Sequence, residues 1–103
     1  MFYKLEYSSF TYPEGFHGTG DEIHMDRLLD NYDRLAALYE MGALSFEDLE
    51  FMDYEFLTII LNEPLSRYFA VLDGIYKDWN IKHGSFPSLR RVGEVIKRRH
   101  NLE

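Results

Sequence analysis

The sequence has no cysteine, which excludes disulfides, zinc–thiolate centres and iron–sulfur clusters. No uninterrupted apolar run approaches the roughly 20 residues that a membrane-spanning helix needs. The first residues, MFYKLEYSSF, lack the basic start and long apolar core of a secretory signal. A cytoplasmic protein is therefore the expectation. Also missing are a phosphate-binding glycine loop, a nucleophile elbow and a paired-histidine metalloprotease helix. The sequence accordingly predicts no catalytic residue, no enzyme activity and no cofactor. HGTGDEIH (His17 to His24) is the one stretch that gathers metal-ligand residue types. Its spacing matches no ligand pattern, so it reads as a polar loop with helix-capping acids, and no metal site is expected.

What the chain does have is apolar and aromatic bulk. At 103 residues it is one domain by length, and 46% apolar with 17% aromatic content is enough to build a core. That composition argues against disorder. The net charge of −7 is unevenly spread: residues 1–76 carry 15 acidic and 4 basic side chains, residues 77–103 carry 3 acidic and 7 basic. A basic tail on an acidic body can close onto that body or offer two charged surfaces to partners. Closure onto the body is the simpler reading.

Residues 1–20 read as an arm and loop. Tyr3, Leu5 and Tyr7 alternate with Lys4 and Glu6 in a strand-like way, but no second strand follows to pair with them. Residues 21–100 read as a helical body. A first helix is expected from about Asp21 to Met41, with Met25, Leu28, Leu29, Tyr32, Leu35, Ala36 and Tyr39 recurring at three- and four-residue steps. Asp21, Glu22 and Asp26 suit its positive end, and Gly42 suits its stop. SFED at 45–48 is close to a capping box and starts a central helix near Phe46. That helix carries two neighbouring stripes, Leu49, Met52, Phe56, Ile59 and Ile60 on one and Tyr54, Leu57 and Leu61 on the other. Two stripes call for two neighbours. The acids between them need Arg34, Arg67 or a C-terminal arginine close by, or contact with water.

Asn62 is a candidate N-cap before Pro64. The third helix then runs to about Trp79 with Leu65, Tyr68, Phe69, Leu72, Ile75, Tyr76 and Trp79 on its stripe. Alternatively, the second and third helices form one helix kinked at Pro64. Pro87 opens a fourth helix in which Leu89, Val92, Val95 and Ile96 face one way. Arg90, Arg91, Lys97 and Arg98 face the other, with Arg99 at the edge of the apolar arc. The expected fold is all-α, a three- or four-helix bundle with an extended N-terminal arm. Its expected core includes Leu28, Leu35, Leu49, Met52, Phe56, Ile60, Phe69, Leu72, Trp79 and Val92.

From residue 27 to about 98, the order RLLDNYDRLAALYEMGALSFEDL, YEFLTIIL, PLSRYF and FPSLRRVGEVI resembles an uncharacterised bacterial helical family known as a domain of unknown function. Members of that family often follow a membrane helix. The resemblance covers about two-thirds of the chain and implies an all-helical interaction domain with no activity attached. The chain differs from that pattern in lacking a membrane segment and in carrying an aromatic arm.

Three classes of function follow. The first is a non-catalytic protein-binding module presenting an acidic, Tyr/Phe-rich surface, with Glu50, Asp53, Tyr54, Leu57 and Leu61 as contacts. A phage- or plasmid-encoded inhibitor that occupies a nucleic-acid-binding site is one form of it. The second is a nucleic-acid or anionic-membrane binder using Arg90, Arg91, Lys97, Arg98 and Arg99. The third, a metal protein or enzyme using His17 and His24, stands well behind these. The aromatic surplus also predicts a homodimer through Tyr54, Leu57 and Leu61, unless the N-terminal arm seals that stripe.

Overall fold

The computed structural model describes residue 2 and residues 16–102, so the strand-or-arm reading of residues 3–15 lies outside the described residues. Every regular element among the described residues is an α-helix: α1 (Gly20–Glu40), α2 (Phe46–Glu50), α3 (Asp53–Ile60), α4 (Glu63–Asp78) and α5 (Pro87–Arg99). The boundaries follow local chemistry. Thr19 caps α1 by accepting from the Glu22 N–H, and Gly42 follows the helix at φ 83°, a left-handed conformation that glycine adopts without penalty. Ser45 and Asp48 close a reciprocal capping box on α2, at 2.8 and 3.1 Å. Asn62 caps α4 by accepting from the Leu65 N–H at 2.9 Å, with Pro64 in its first turn.

The single central helix expected from Phe46 is two helices. Phe51 and Met52 turn the chain between α2 and α3. The break gives the segment a second N-terminus, and Asp53 and Glu55, which one continuous helix would hold at mid-length, sit in its first turn where carboxylates are favoured.

The core is built from Met25, Leu29 and Ala36 of α1, Leu49, Phe56 and Ile59 of α2 and α3, Leu65, Tyr68 and Phe69 of α4, and Leu89, Val92 and Ile96 of α5. Of the expected core, Leu49, Phe56, Phe69 and Val92 are buried, while Leu28, Leu35, Met52, Ile60 and Leu72 are half-buried. Trp79 is a correction. It is 77% exposed, and Ile75 one turn earlier is 44% exposed. The reason is that the buried part of the α4 stripe is its N-terminal half, Leu65, Tyr68 and Phe69, while Trp79 is the C-cap beyond the end of the helix.

Helix α5 packs against both α1 and α3, and α3 also contacts α4. Its approach to α3 is close: a Cβ at Gly93 would lie 2.2 Å from Ile60 Cγ1 and 2.6 Å from Cδ1. In the middle of a helix, alanine in place of glycine ordinarily adds up to about 1 kcal/mol of stability. Here it inserts a methyl group into occupied space, an overpacking that costs about 1–3 kcal/mol. Gly93→Ala should therefore lower the urea midpoint instead of raising it. Phe56→Ala, which empties a fully buried site, should cost about 3–5 kcal/mol in the same assay.

Candidate functional site

Three clusters of polar side chains are organised by this packing. The first holds α5 in place at both ends. Phe86 sits at its N-cap in a left-handed conformation and makes no side-chain cap, so the first turn takes its acceptors from other helices. Asp33 of α1 accepts from the Leu89 N–H at 2.9 Å. Asp73 of α4 accepts from the Ser85 N–H at 2.6 Å and the Ser85 hydroxyl at 2.8 Å, and Arg90 Nη1 donates to both its oxygens at 3.1 and 2.9 Å. Burial pushes the Asp73 carboxyl up, but the Ser85 and Arg90 donors outweigh it and hold the group below the usual carboxylate range. Arg91 forms a two-pronged pair with Glu40 at 2.8 and 3.0 Å, and that donor lowers the Glu40 carboxyl. At the far end His100 lies 2.7 Å from Asp53, Arg99 lies 3.7 Å from Glu50, and the Arg99 guanidinium stacks 3.8 Å from the centroid of Phe46.

The expected basic helix is thus largely engaged. Arg90, Arg91 and Arg99 pair with the body, while Lys97 and Arg98 form no ion pair among the described residues. The arginines expected beside the central acids divide in the same way. Arg99 reaches Glu50, whereas Arg34 and Arg67 pair within their own helices, with Asp30 and Glu63.

The second cluster joins α1 to α4. The buried Tyr68 hydroxyl lies 2.9 Å from Glu22 and 2.7 Å from Asp26, the Gly18 N–H donates to Glu22 at 2.7 Å, and His17 stands 3.2 Å from the same carboxyl. Phe16 packs edge-on to the Tyr68 ring. The Gly18 N–H holds Glu22 below its ordinary value, burial raises Asp26, and burial together with the two carboxylates pushes the phenol far up. The phenol has one hydrogen for two carboxylates, so it satisfies only one of them at a time. His17 belongs to this cluster and His24 lies exposed on α1. Among the described residues no group of three metal-ligating side chains converges.

The third feature is the corner between α2 and α3. Phe51 is 89% exposed and Tyr54 57%, with Glu47, Asp48 and Glu50 also exposed. Of the candidate contacts, Leu61 is exposed and Asp53 and Leu57 are half-buried, with Leu57 packed against the core. The ring of Phe2 meets Tyr54 edge-on at 6.3 Å. Phe51 was not among the expected contacts, although the sequence held a signal for it: it falls on neither apolar stripe of the central segment. A groove of about 680 Å³ also runs along α5, floored by Ile60, Phe69, Val92 and Val95 and edged by Arg91 and Arg98.

Compared with known proteins, the chain matches no family model, no curated protein and no solved structure. No described helix is long and apolar enough to cross a membrane.

The two carboxyls with opposite shifts predict opposite pH effects. Asp73 is lowered on folding, so it contributes stability above the ordinary carboxylate value of about 4, lost as pH falls through its depressed value. Asp26 is raised, so it opposes folding increasingly as pH climbs from about 4 through its raised value. In urea titrations across pH, Asp73→Asn should flatten the acid limb below about 4. Asp26→Asn should remove a decline above it. Asp73→Asn should also lower stability at neutral pH by about 1–3 kcal/mol through its lost charge-assisted bonds.

Proposed function

We propose that the protein is a non-catalytic protein-binding module that works through the corner between α2 and α3. The observation that carries this reading is Phe51, a phenylalanine left 89% exposed beside the exposed acids Glu47, Asp48 and Glu50. An aromatic ring offers large apolar contact area at an interface, and the surrounding acids steer a basic partner and set its orientation. Tyr54 and Leu61 extend the same surface. Glu50 is partly neutralised by Arg99 and Asp53 is engaged by His100, so Glu47 and Asp48 supply most of the free negative charge. An inhibitor that occupies the basic, nucleic-acid-binding surface of its target is the form this chemistry suits best.

In this reading α2 and α3 act as one kinked helix of a four-helix bundle, Phe2 packs against one edge of Tyr54, and the module operates in the cytoplasm. The alternative, a binder of nucleic acid or anionic membranes, needs the cations of α5. Three of the five are paired with carboxylates of the body, which supports the protein-binding reading.

Capture from a lysate of the native host tests the proposal. The wild-type protein should retain a basic protein that 0.5 M salt weakens and that Phe51→Ser and Glu47→Lys each release. Both positions are exposed, so neither change should shift stability by more than about 0.5 kcal/mol. Retention unchanged by both substitutions would place the contact elsewhere.

A further inference from the structure

Helix α4 turns a second surface outward. At about 100° per residue, Arg67, Val71, Gly74 and Asp78 fall on one narrow arc. Ala70 flanks it on one side and Ile75 on the other. All six are exposed. Leu65, Tyr68, Phe69 and Leu72 occupy the opposite side and face the core. The outward face is thus apolar at its centre and carries a positive charge near one end and a negative charge near the other.

We propose that this face is self-complementary and joins two copies of the chain with their α4 helices antiparallel. A two-fold axis between residues 72 and 73 puts Val71 of one copy level with Gly74 of the other, near the middle of the face. The bulky side chain there has a small one beside it, the alternation that lets packed helices interdigitate. The same register sets Arg67 level with Asp78 at both ends of the contact. The coincidence of size and charge matches in one register selects a second copy as the occupant. A parallel pairing would lay Arg67 on Arg67 and Asp78 on Asp78. Arg67 already pairs with Glu63 of its own helix at 3.2 Å, but that pair is exposed and such pairs are weak, so the guanidinium is available to swing to a partner. The Tyr54–Leu61 stripe is a poorer self-contact because Leu57 is packed inward.

The contact is about one helix wide, well under the roughly 800 Å² per partner of a standard interface. Association in the range of micromolar to tens of micromolar is expected. The proposal does not depend on the corner at Phe51, which lies on different helices.

Light scattering over a protein concentration series tests it. The mass should rise from the 12.3 kDa of one chain towards twice that value. Arg67→Glu and Asp78→Arg should each weaken the dimer at least about tenfold by placing like charges level. The double variant should recover most of the loss, because the pair is restored with its signs exchanged. Circular dichroism on each variant confirms that the helices persist. A mass that stays at 12.3 kDa up to about millimolar concentration would overturn the proposal. So would a dimer indifferent to both single substitutions, or one that the double variant fails to restore.

Discussion

The structure depends on the seating of α5 against α3, where the backbone at Gly93 meets the side chain of Ile60 with no room for a single further carbon. α5 is the helix that packs on both α1 and α3. Its inward face, Leu89, Val92 and Ile96, is buried against residues contributed by the other helices. Without that close approach the α5 stripe would stand off from Ile59 and Ile60. The cavity left between them would cost both transfer energy and dispersion contacts. A glycine in mid-helix is intrinsically unfavourable, and at this position that local cost is offset by the depth of the helix contact it permits.

The polar groups around α5 fix how it is seated. Its N-terminus has no cap of its own, and the two carboxylates that serve it come from α1 and α4. An arrangement of this kind ties three helices together only when all three are correctly placed, so it favours one packing over its neighbours. At the C-terminal end the Arg99–Glu50 pair is longer and more exposed and adds less to stability. Because Asp73 accepts buried and half-buried backbone and hydroxyl donors as well as the guanidinium, it contributes more than a surface salt bridge of the same length.

Much of this was legible in the sequence, and for identifiable reasons. Helix starts at Ser45, Asn62 and Pro87 were readable because capping chemistry is local, and the positive tail on a negative body announced that α5 would close onto the rest of the chain. The break at Phe51–Met52 was not readable, since the stripe from Leu49 to Ile60 is compatible with one continuous helix. Trp79 was misassigned for a related reason. A periodic pattern says which side of a helix a residue occupies, but not whether a neighbour extends far enough to cover it. The partners of Tyr68 and of Asp73 are set by tertiary contacts 42 to 46 and 12 to 17 residues away in sequence, and no single-segment pattern encodes them.

The division between engaged and open surface bears most directly on function. A chain whose basic helix faced outward unpaired would present five cations to a polyanion. Here the body takes up Arg90, Arg91 and Arg99 while remaining acidic overall. Apart from Lys97 and Arg98, what stays open is of a different chemistry: an aromatic and acidic corner at Phe51, and an apolar face on α4 around Gly74. Both present carbon surface with charge at the margins, the composition that protein partners bury well and that nucleic acid does not reward. The same ion pairs that seat α5 therefore also shape what the molecule can bind, because each one engages a cation and a carboxylate that a partner could otherwise use.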